Sequence, residues 1–155
     1  MKSSACIRYI GNRCFEATTT SAKQSLVIDA STEADLSLRK GTRPMENVLL
    51  ALASCASVDI VIILEKAKQF YSTFHVDIVA LRRDSIPNVF TQIDLAFHFT
   101  AQLETSSKNK SNPLDSAKIT RAIELSLTKY CSVAAMLKAA GVIINYSLHI
   151  HPPQP

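Results

Sequence analysis

Residues 44–70 read PMENVLLALASCASVDIVIILEKAKQF, and this stretch decides the fold. Nearly every residue over 48–64 is apolar or small, so a helix formed here is apolar on all its faces and has to be enclosed by other elements. Thr42 is a candidate cap, Pro44 suits the first helical turn, and Glu46 suits the positive end of the helix dipole. We therefore predict a long, buried central helix over 44–70, about 40 Å in length.

A membrane-spanning helix is the competing interpretation of this stretch. The apolar run is a few residues shorter than the roughly 20 that a span needs. Cys55, Ser57 and Asp59 would also lie at mid-depth, where polar groups are costly. We therefore expect no membrane insertion.

Composition and charge narrow the class of protein. The chain has 155 residues with 47% hydrophobic content, enough for a single domain over residues 1–155 with a sizeable core. The net charge is +4, but Lys and Arg are scattered rather than gathered in a stripe, so the sequence gives little support to nucleic-acid binding. The N-terminus, MKSSACIRYIG, lacks the apolar region of a signal peptide, so we expect a cytoplasmic protein.

The chain has four cysteines and four histidines. The cysteines show no CxxC pair, which is typical of reduced cytosolic thiols rather than of a disulfide framework. Cys6 and Cys14 fall in predicted strands, where we expect them to pack as small apolar side chains. His149 and His151 share one face of a predicted strand and suit a metal ion, but no third ligand is evident. We therefore predict solvated histidines and no metal site.

The remaining chain reads as short strands and helices. Alternating apolar residues predict strands within 5–30, and the polar segments 30–43 and 104–112 predict connections. A half-buried strand is predicted over Val89–Phe99, with one face formed by Val89, Thr91, Ile93, Leu95, Phe97 and Phe99. The C-terminal part, 74–151, has the order β-β-α-α-β. The individual predictions are strands at Cys6–Ile10, Arg13–Thr19, Ser25–Asp29, Phe74–Arg83, Val89–Phe99 and Val142–Ile150, and helices from Asp115 or Ser116 to near Cys131 and over Val133–Ala139. Asp115 or Ser116 is the expected cap at the start of the first of these helices, and Gly141 is expected to end the second.

This order predicts an α+β fold with antiparallel sheets around the central helix. One small sheet and two modest helices are too little to cover a helix that is apolar all round. Pairing of two copies of the helix across a two-fold axis would cover it. We therefore predict an obligate homodimer.

Three segments resemble a known family: PMENVLLALASCASVDIVIILEKAK, LRRDSIPNVFTQIDLAFHF and RAIELSLTKYCSVAAMLKAAGVIINYSLHI. In this order, over nearly the whole chain, they resemble the OsmC-like family, which includes the organic hydroperoxide resistance proteins. The most specific points are Cys55 in the middle of the apolar helix and Cys131 in the YCSV segment. The resemblance implies an intertwined α+β homodimer with the two long helices at its centre and sites near the dimer interface.

The resemblance also implies a chemistry. Characterised members reduce organic hydroperoxides with a peroxidatic and a resolving thiol and are recycled by dithiols, notably lipoyl groups. By position, Cys55 matches the peroxidatic thiol and Cys131 the resolving thiol. The expected substrate is a small apolar hydroperoxide, the expected reductant is an external dithiol, and no bound cofactor is expected.

The activating cation is where this sequence departs from the family. A thiol in apolar surroundings needs a nearby cation to ionise at neutral pH. In the members that resemble one another here, this cation is an Arg from the N-terminal strands, and a Glu ten residues before the reactive cysteine holds it. This chain has Met45 at the position of that Glu. Glu46 is nine residues before Cys55, roughly on the opposite side of a regular helix. Asp59, four residues after Cys55, shares its face.

Two questions therefore stay open in the sequence. The first concerns the Arg that would activate Cys55: Arg13 is the first candidate, followed by Arg39 or Arg43. The second concerns Asp59, which is either part of the catalytic network or a hydrogen-bonded structural acid. Ser132 also stands where many members have a Pro after the second cysteine. The alternative function is a non-enzymatic OsmC-like homodimer that binds an apolar ligand or senses redox state.

Overall fold

Six strands and three α-helices make up the part of the chain that the computed structural model describes, which is residues 3–32, 34, 36–102 and 114–153. They form two compact units, Met1–Leu50 and Ala51–Pro155, with the boundary inside the first helix. The prediction of a single domain stays a prediction. The elements are β1 (Ala5–Gly11), β2 (Cys14–Thr19), β3 (Leu26–Asp29), α1 (Pro44–Lys66), β4 (Tyr71–Arg82), β5 (Phe90–Ala101), α2 (Ser116–Leu125), α3 (Ser132–Ala139) and β6 (Ile143–His151).

The N-terminal unit contains an antiparallel sheet of order β1-β2-β3, as predicted. Asn12 and Arg13 form the turn between β1 and β2, with φ angles of 48° and 58°. Two positive φ angles are typical of a tight hairpin turn. Arg13 therefore belongs to the turn, and not to the second strand in which it was predicted. Cys14 is buried as expected, but Cys6 is exposed, so the packing prediction is wrong for Cys6.

The connection that follows β3 is anchored by the carboxylate of Asp29. This carboxylate accepts hydrogen bonds from the backbone amides of Ser31 at 2.8 Å and Lys40 at 2.9 Å. Hydrogen bonds from Ser31 and Lys40 hold the pKa of Asp29 far below its ordinary value. The segment predicted as a polar connection is thus tied back to the sheet, and it includes a short 3-10 turn at Leu36–Leu38.

Helix α1 begins at Pro44 as predicted, but with a different cap. The carboxylate of Glu46 accepts a hydrogen bond of 2.8 Å from the backbone amide of Arg43, the last residue before the helix. This contact satisfies one of the free amides at the helix start. Thr42, the expected cap, instead donates its hydroxyl to the Asn47 side chain at 3.0 Å.

The helix ends at Lys66 rather than at the predicted Phe70. Lys68 adopts a φ of 54°, in the left-handed region that ends helices. The Gln69 amide donates to the Leu64 carbonyl, and the Lys68 amide donates to the Glu65 carbonyl, both at 3.0 Å. This is the pair of hydrogen bonds that closes a helix when the residue after its cap is left-handed.

One stripe of α1 is buried within this chain, and the other faces are not. Several of the remaining apolar side chains are about half exposed: Leu50 at 51%, Val58 at 59% and Ile62 at 43%. The described residues therefore leave these side chains of the helix partly open to solvent. The residues of the buried stripe, which recur every fourth position, are Leu52, Ala56, Ile60 and Leu64.

Helix α1 is also long and apolar enough to cross a membrane, judged by its length and composition. The sequence prediction judged the apolar run too short for a span. The difference arises because the helix includes residues on both sides of that run.

The C-terminal unit is built on a sheet of order β4-β5-β6. Strands β4 and β5 are antiparallel, whereas β5 and β6 are parallel, so the prediction of purely antiparallel sheets is wrong for β6. The connection between β5 and β6 runs through α2 and α3, and such a crossover lets the chain return in the same direction.

The alternation in β5 is confirmed at its centre and fails at its start. Four predicted inward-facing residues are buried: Ile93, Leu95, Phe97 and Phe99. Thr91, predicted on the same face, is exposed and Phe90 is buried instead. The cause is a register shift in the pairing of β4 with β5, between Leu81 and Arg82 of β4.

The two C-terminal helices follow the predicted caps. Asp115 precedes α2, and its carboxylate accepts the amides of Ala117 at 2.9 Å and Lys118 at 3.3 Å. Gly141, with a φ of 85°, follows the end of α3 as predicted. Between the helices lies a π-helical turn, Ser126–Tyr130. The predicted loop at 104–112 lies outside the described residues.

The core of the C-terminal unit combines the buried stripe of α1 with residues from β5 and α2. Among the largest fully buried side chains of the described residues, one is polar, namely Ser126. The apolar members from these three elements are Leu52, Ile60, Leu64, Ile93, Leu95, Phe97, Phe99, Ile119 and Ile123.

Candidate functional site

The structure brings Cys55 and Cys131 together within the C-terminal unit. Cys55 lies in the middle of α1 and is partly exposed, whereas Cys131 is 3% exposed and caps the start of α3. The Cys55 thiol is close enough to interact with the Cys131 thiol and to change its ionisation. Two residues separated by most of the C-terminal unit in sequence thus share one site.

The surroundings of Cys131 keep its thiol protonated. Burial raises the pKa of Cys131 to about 11, and the neighbouring Cys55 adds to the increase. The backbone amides of Ala134 and Val133 act in the opposite direction, and the Ala134 amide donates to the Cys131 sulfur at 3.4 Å. Desolvation therefore outweighs the stabilisation that helix amides give to a thiolate.

Ser126 connects the segments that carry the two cysteines. Its hydroxyl donates a hydrogen bond of 3.0 Å to the carbonyl of Ala56, the residue after Cys55. Its own carbonyl accepts the backbone amide of Cys131 at 2.9 Å. Because a buried hydroxyl is costly to leave unpaired, these bonds favour one placement of the π-helical turn against α1.

The π-helical turn itself sets the position of Cys131. The bond from the Cys131 amide to the Ser126 carbonyl spans five residues, which is the spacing of a π-helix. The Lys138 ammonium donates to the carbonyl of Leu127 at 2.9 Å, which ties α3 to the same turn. Single π turns inside helices are frequent at functional sites.

The other predicted site residues are placed differently. Asp59 lies beside Ser126, with 3.4 Å between the Asp59 carboxylate and the Ser126 hydroxyl. Arg13 and Glu46 belong to the N-terminal unit, where Arg13 is in the exposed β1–β2 turn and Glu46 caps α1 through the amide of Arg43. The catalytic roles of these three residues stay predictions.

Sequence reasoning missed Ser126. It comes directly after α2 and continues the buried series of Ile119 and Ile123, at the spacing that places apolar residues on that face. A polar residue in that position was a usable signal, because a hydroxyl on an apolar stripe has to find a partner inside the protein.

The comparison with family models decides the classification. The model described as OsmC-like protein matches residues 37–147, which include Cys55, Cys131 and Ser126. The chain belongs to the OsmC-like family. This family includes the organic hydroperoxide resistance proteins, and its members are typically soluble. Membership is therefore consistent with α1 as the core helix of a soluble protein.

Individual relatives agree with this classification. Protein YhfA of Escherichia coli K12 is 37% identical over 110 residues, which cover 70% of this chain and 75% of that protein. A hypothetical protein from Aquifex aeolicus has a TM-score of 0.79 at 21% identity, with 99% of each chain covered. The organic hydroperoxide resistance protein OhrB of Bacillus subtilis has a TM-score of 0.59 at 13% identity, covering 97% of this chain and 98% of its own. The two solved structures show that the OsmC-like fold is shared.

Proposed function

We propose that this OsmC-like protein reduces organic hydroperoxides in the cytoplasm, with Cys55 as the peroxidatic thiol and Cys131 as the resolving thiol. The interaction between the two thiols is the observation that carries the proposal. It supplies what a two-cysteine peroxidase requires, which is a second thiol within reach of the first after oxidation.

The reaction has two steps on the protein. The Cys55 thiolate attacks the outer oxygen of ROOH, the O–O bond breaks, and the alkoxide takes a proton to leave as ROH. Cys55 is then a sulfenic acid. The Cys131 sulfur attacks the Cys55 sulfur, the S–O bond breaks, and water leaves with the proton of the Cys131 thiol.

The raised pKa of Cys131 supports this division of roles. Because burial raises the pKa of Cys131 to about 11, its thiol stays protonated at neutral pH and is a poor nucleophile towards a hydroperoxide. Cys131 therefore suits the second step, in which its partner is already an activated sulfur electrophile. The peroxidatic role falls to Cys55, which is also the more exposed of the two.

An external dithiol completes the cycle. One thiolate of the dithiol attacks the Cys55–Cys131 disulfide and forms a mixed disulfide with the protein. The second thiol of the dithiol then attacks this mixed disulfide, which closes the dithiol's own disulfide and frees the protein thiol. Both protein thiols are then restored, and two electrons have passed from the dithiol to ROOH. A reductant of the lipoyl type fits this exchange, and no bound cofactor is required.

A homodimer is part of the proposal. Val58 and Ile62, which follow Cys55 on the same face of α1, are 59% and 43% exposed in the single chain. A second copy of α1 packed on this face would remove them from water and would complete an apolar surrounding for Cys55. Such a surrounding suits apolar hydroperoxides, for example those of fatty or aromatic compounds.

The test is the reduction of cumene hydroperoxide with an excess of dithiol. The Cys55→Ser protein should lose the activity, and Cys6→Ser, at an exposed cysteine of the N-terminal unit, should keep it as the matched control. If Cys55→Ser reduces the hydroperoxide as well as the parent does, the proposal fails. A parent protein that shows no turnover would instead favour the alternative, a homodimer that binds an apolar ligand or senses redox state.

A further inference from the structure

All four histidines of the chain gather on one face of the C-terminal sheet. His75 in β4 pairs with His98 in β5, and His98 pairs with His149 in β6, so the three lie in one row across the strands. His151 follows two residues after His149 and therefore lies on the same face. The residues on either side of His98 in β5 are buried, so this row lies on the face opposite the core.

The histidine rings and one carboxylate are in close contact. The ring of His98 stacks on those of His75 and His149, with centroids 4.6 Å and 4.5 Å apart. Asp77, two residues after His75 on β4, places a carboxylate oxygen 3.5 Å from Nε2 of His98. His75, Asp77 and His98 each offer one ligand atom, and these three atoms all lie within 4.8 Å of one another.

We propose that His75, Asp77 and His98 bind a divalent transition-metal ion of the class that zinc represents. Two imidazole nitrogens and one carboxylate oxygen form a ligand set that suits zinc, and imidazole also suits copper and nickel. At metal–ligand distances of about 2.0–2.2 Å, two atoms bound to one tetrahedral ion lie roughly 3.3–3.6 Å apart. Asp77 and His98 already meet this spacing, and the ligand atom of the exposed His75 lies within 4.8 Å of both.

His151 prepares His98 for this role. Nδ1 of His98 and Nε2 of His151 lie 3.0 Å apart, which is a hydrogen-bond distance. When His98 donates its Nδ1 proton to His151, its Nε2 presents a lone pair towards Asp77 and the metal position. A ligating histidine almost always donates its second ring nitrogen in this way, which fixes its tautomer and orientation.

The site is open on one side. Asp77 also lines a shallow cavity of about 220 Å³ on the same sheet, together with residues that include Asp94, Asn145 and Ser147. Three protein ligands leave a fourth position on a tetrahedral ion, and water from this cavity can occupy it. The sequence showed only the pair His149 and His151, because His98 meets His75 and Asp77 only when β5 pairs with β4.

The test is a titration of the full chain with Co²⁺, followed by competition with Zn²⁺. Nitrogen and oxygen ligands give Co²⁺ visible d–d absorption without the near-ultraviolet thiolate charge-transfer band that cysteine ligands produce. We expect one Co²⁺ per chain, displaced by Zn²⁺. His75→Gln and Asp77→Asn should weaken binding at least tenfold, and His151→Leu should weaken it about tenfold to 100-fold.

His149→Gln is the matched control, because His149 belongs to the same row but is outside the ligand set; its affinity for Co²⁺ should stay within threefold of the parent. The proposal is overturned if the parent binds no Co²⁺, if a thiolate band accompanies binding, or if His75→Gln binds as tightly as the parent. It is also overturned if His149→Gln is the variant that loses the ion. This site does not depend on the thiol chemistry, so Cys55→Ser should bind Co²⁺ like the parent.

Discussion

The hydroxyl of Ser126 donates a 3.0 Å hydrogen bond to the backbone carbonyl of Ala56, the residue that follows Cys55 in α1. The carbonyl of Ser126 accepts the amide of Cys131 at 2.9 Å. One buried residue thus holds the two cysteine-bearing segments together. We expect these two hydrogen bonds to position the thiols, so the site can be tested without altering either cysteine.

The first prediction concerns Ser126→Ala. The substitution removes the hydroxyl whose hydrogen bond joins the π-helical turn to α1. It should lower the free energy of unfolding by about 1–2 kcal/mol. It should also slow formation of the Cys55–Cys131 disulfide after oxidation, because the turn is held less firmly against α1. Denaturant unfolding and quenched-flow thiol trapping measure the two effects.

Thr128→Ala is the matched control for this prediction. Thr128 is exposed in the same turn, and its hydroxyl donates at 2.6 Å to the carbonyl of Glu124 in the preceding helix, α2, rather than to α1. Its removal should leave the rate of disulfide formation unchanged. Equal rates for Ser126→Ala and the parent would show that the contact between Ser126 and Ala56 does not position the thiols.

The second prediction concerns the ionisation of Cys131. Because burial and then Cys55 raise its pKa, alkylation of Cys131 should be slow at neutral pH and should accelerate only as the pH approaches about 11. In Cys55→Ser the acceleration should begin at lower pH, since one cause of the increase is removed. Mass spectrometry of timed iodoacetamide reactions measures both profiles.

The same shift of pKa has a consequence for stability. A thiol whose pKa is higher in the folded state stabilises the fold fully below its unfolded pKa, and this contribution is lost as the pH rises through the folded pKa. Stability should therefore fall between the ordinary thiol pKa and about 11. The fall should be smaller in Cys131→Ser. An identical pH dependence in the two proteins would contradict the assignment of a raised pKa.

The third prediction distinguishes the two interpretations of Asp59. The Ser126 hydroxyl has one proton, and its contact with Ala56 is shorter than its 3.4 Å contact with Asp59. Asp59→Asn should therefore change the free energy of unfolding by less than about 1 kcal/mol. If the rate of hydroperoxide reduction falls while stability is kept, Asp59 belongs to the catalytic network. A large loss of stability would make it a structural acid.

The fourth prediction concerns the exposed face of α1. Val58→Asp should convert a dimer into monomers, because it places a charge on the apolar face proposed to pair with a second copy. Ile86→Asp is the control, since Ile86 is 90% exposed in the β4–β5 turn. Sedimentation velocity measures the oligomeric state. A parent protein that sediments as a monomer would rule out the dimer.

The sequence predicted the elements that depend on local chemistry. Asp115 as a cap, Gly141 at a helix end and the alternation through Phe97 and Phe99 all follow from short-range rules, and each is confirmed. Short-range rules do not predict how distant segments pack together. That part of the prediction came from the apolar pattern around Cys55 and its resemblance to the OsmC-like family. The OsmC-like α+β fold could therefore be predicted before any coordinates.

The missed features depend on contacts between distant segments. The parallel pairing of β6 with β5 and the row of histidines exist only once the chain has crossed over through two helices. The contact between Ser126 and Ala56 joins residues 70 positions apart. The early helix end at Lys66 has a local cause, but a left-handed Lys68 carries no signal in its residue type.

The measurement that tests the central claim most directly is peptide mapping of the protein after one equivalent of cumene hydroperoxide. The account predicts one disulfide, between the peptides that contain Cys55 and Cys131, with Cys6 and Cys14 still reduced. A stable sulfenic or sulfinic acid at Cys55 with Cys131 free, or a disulfide that uses Cys6 or Cys14, would contradict it.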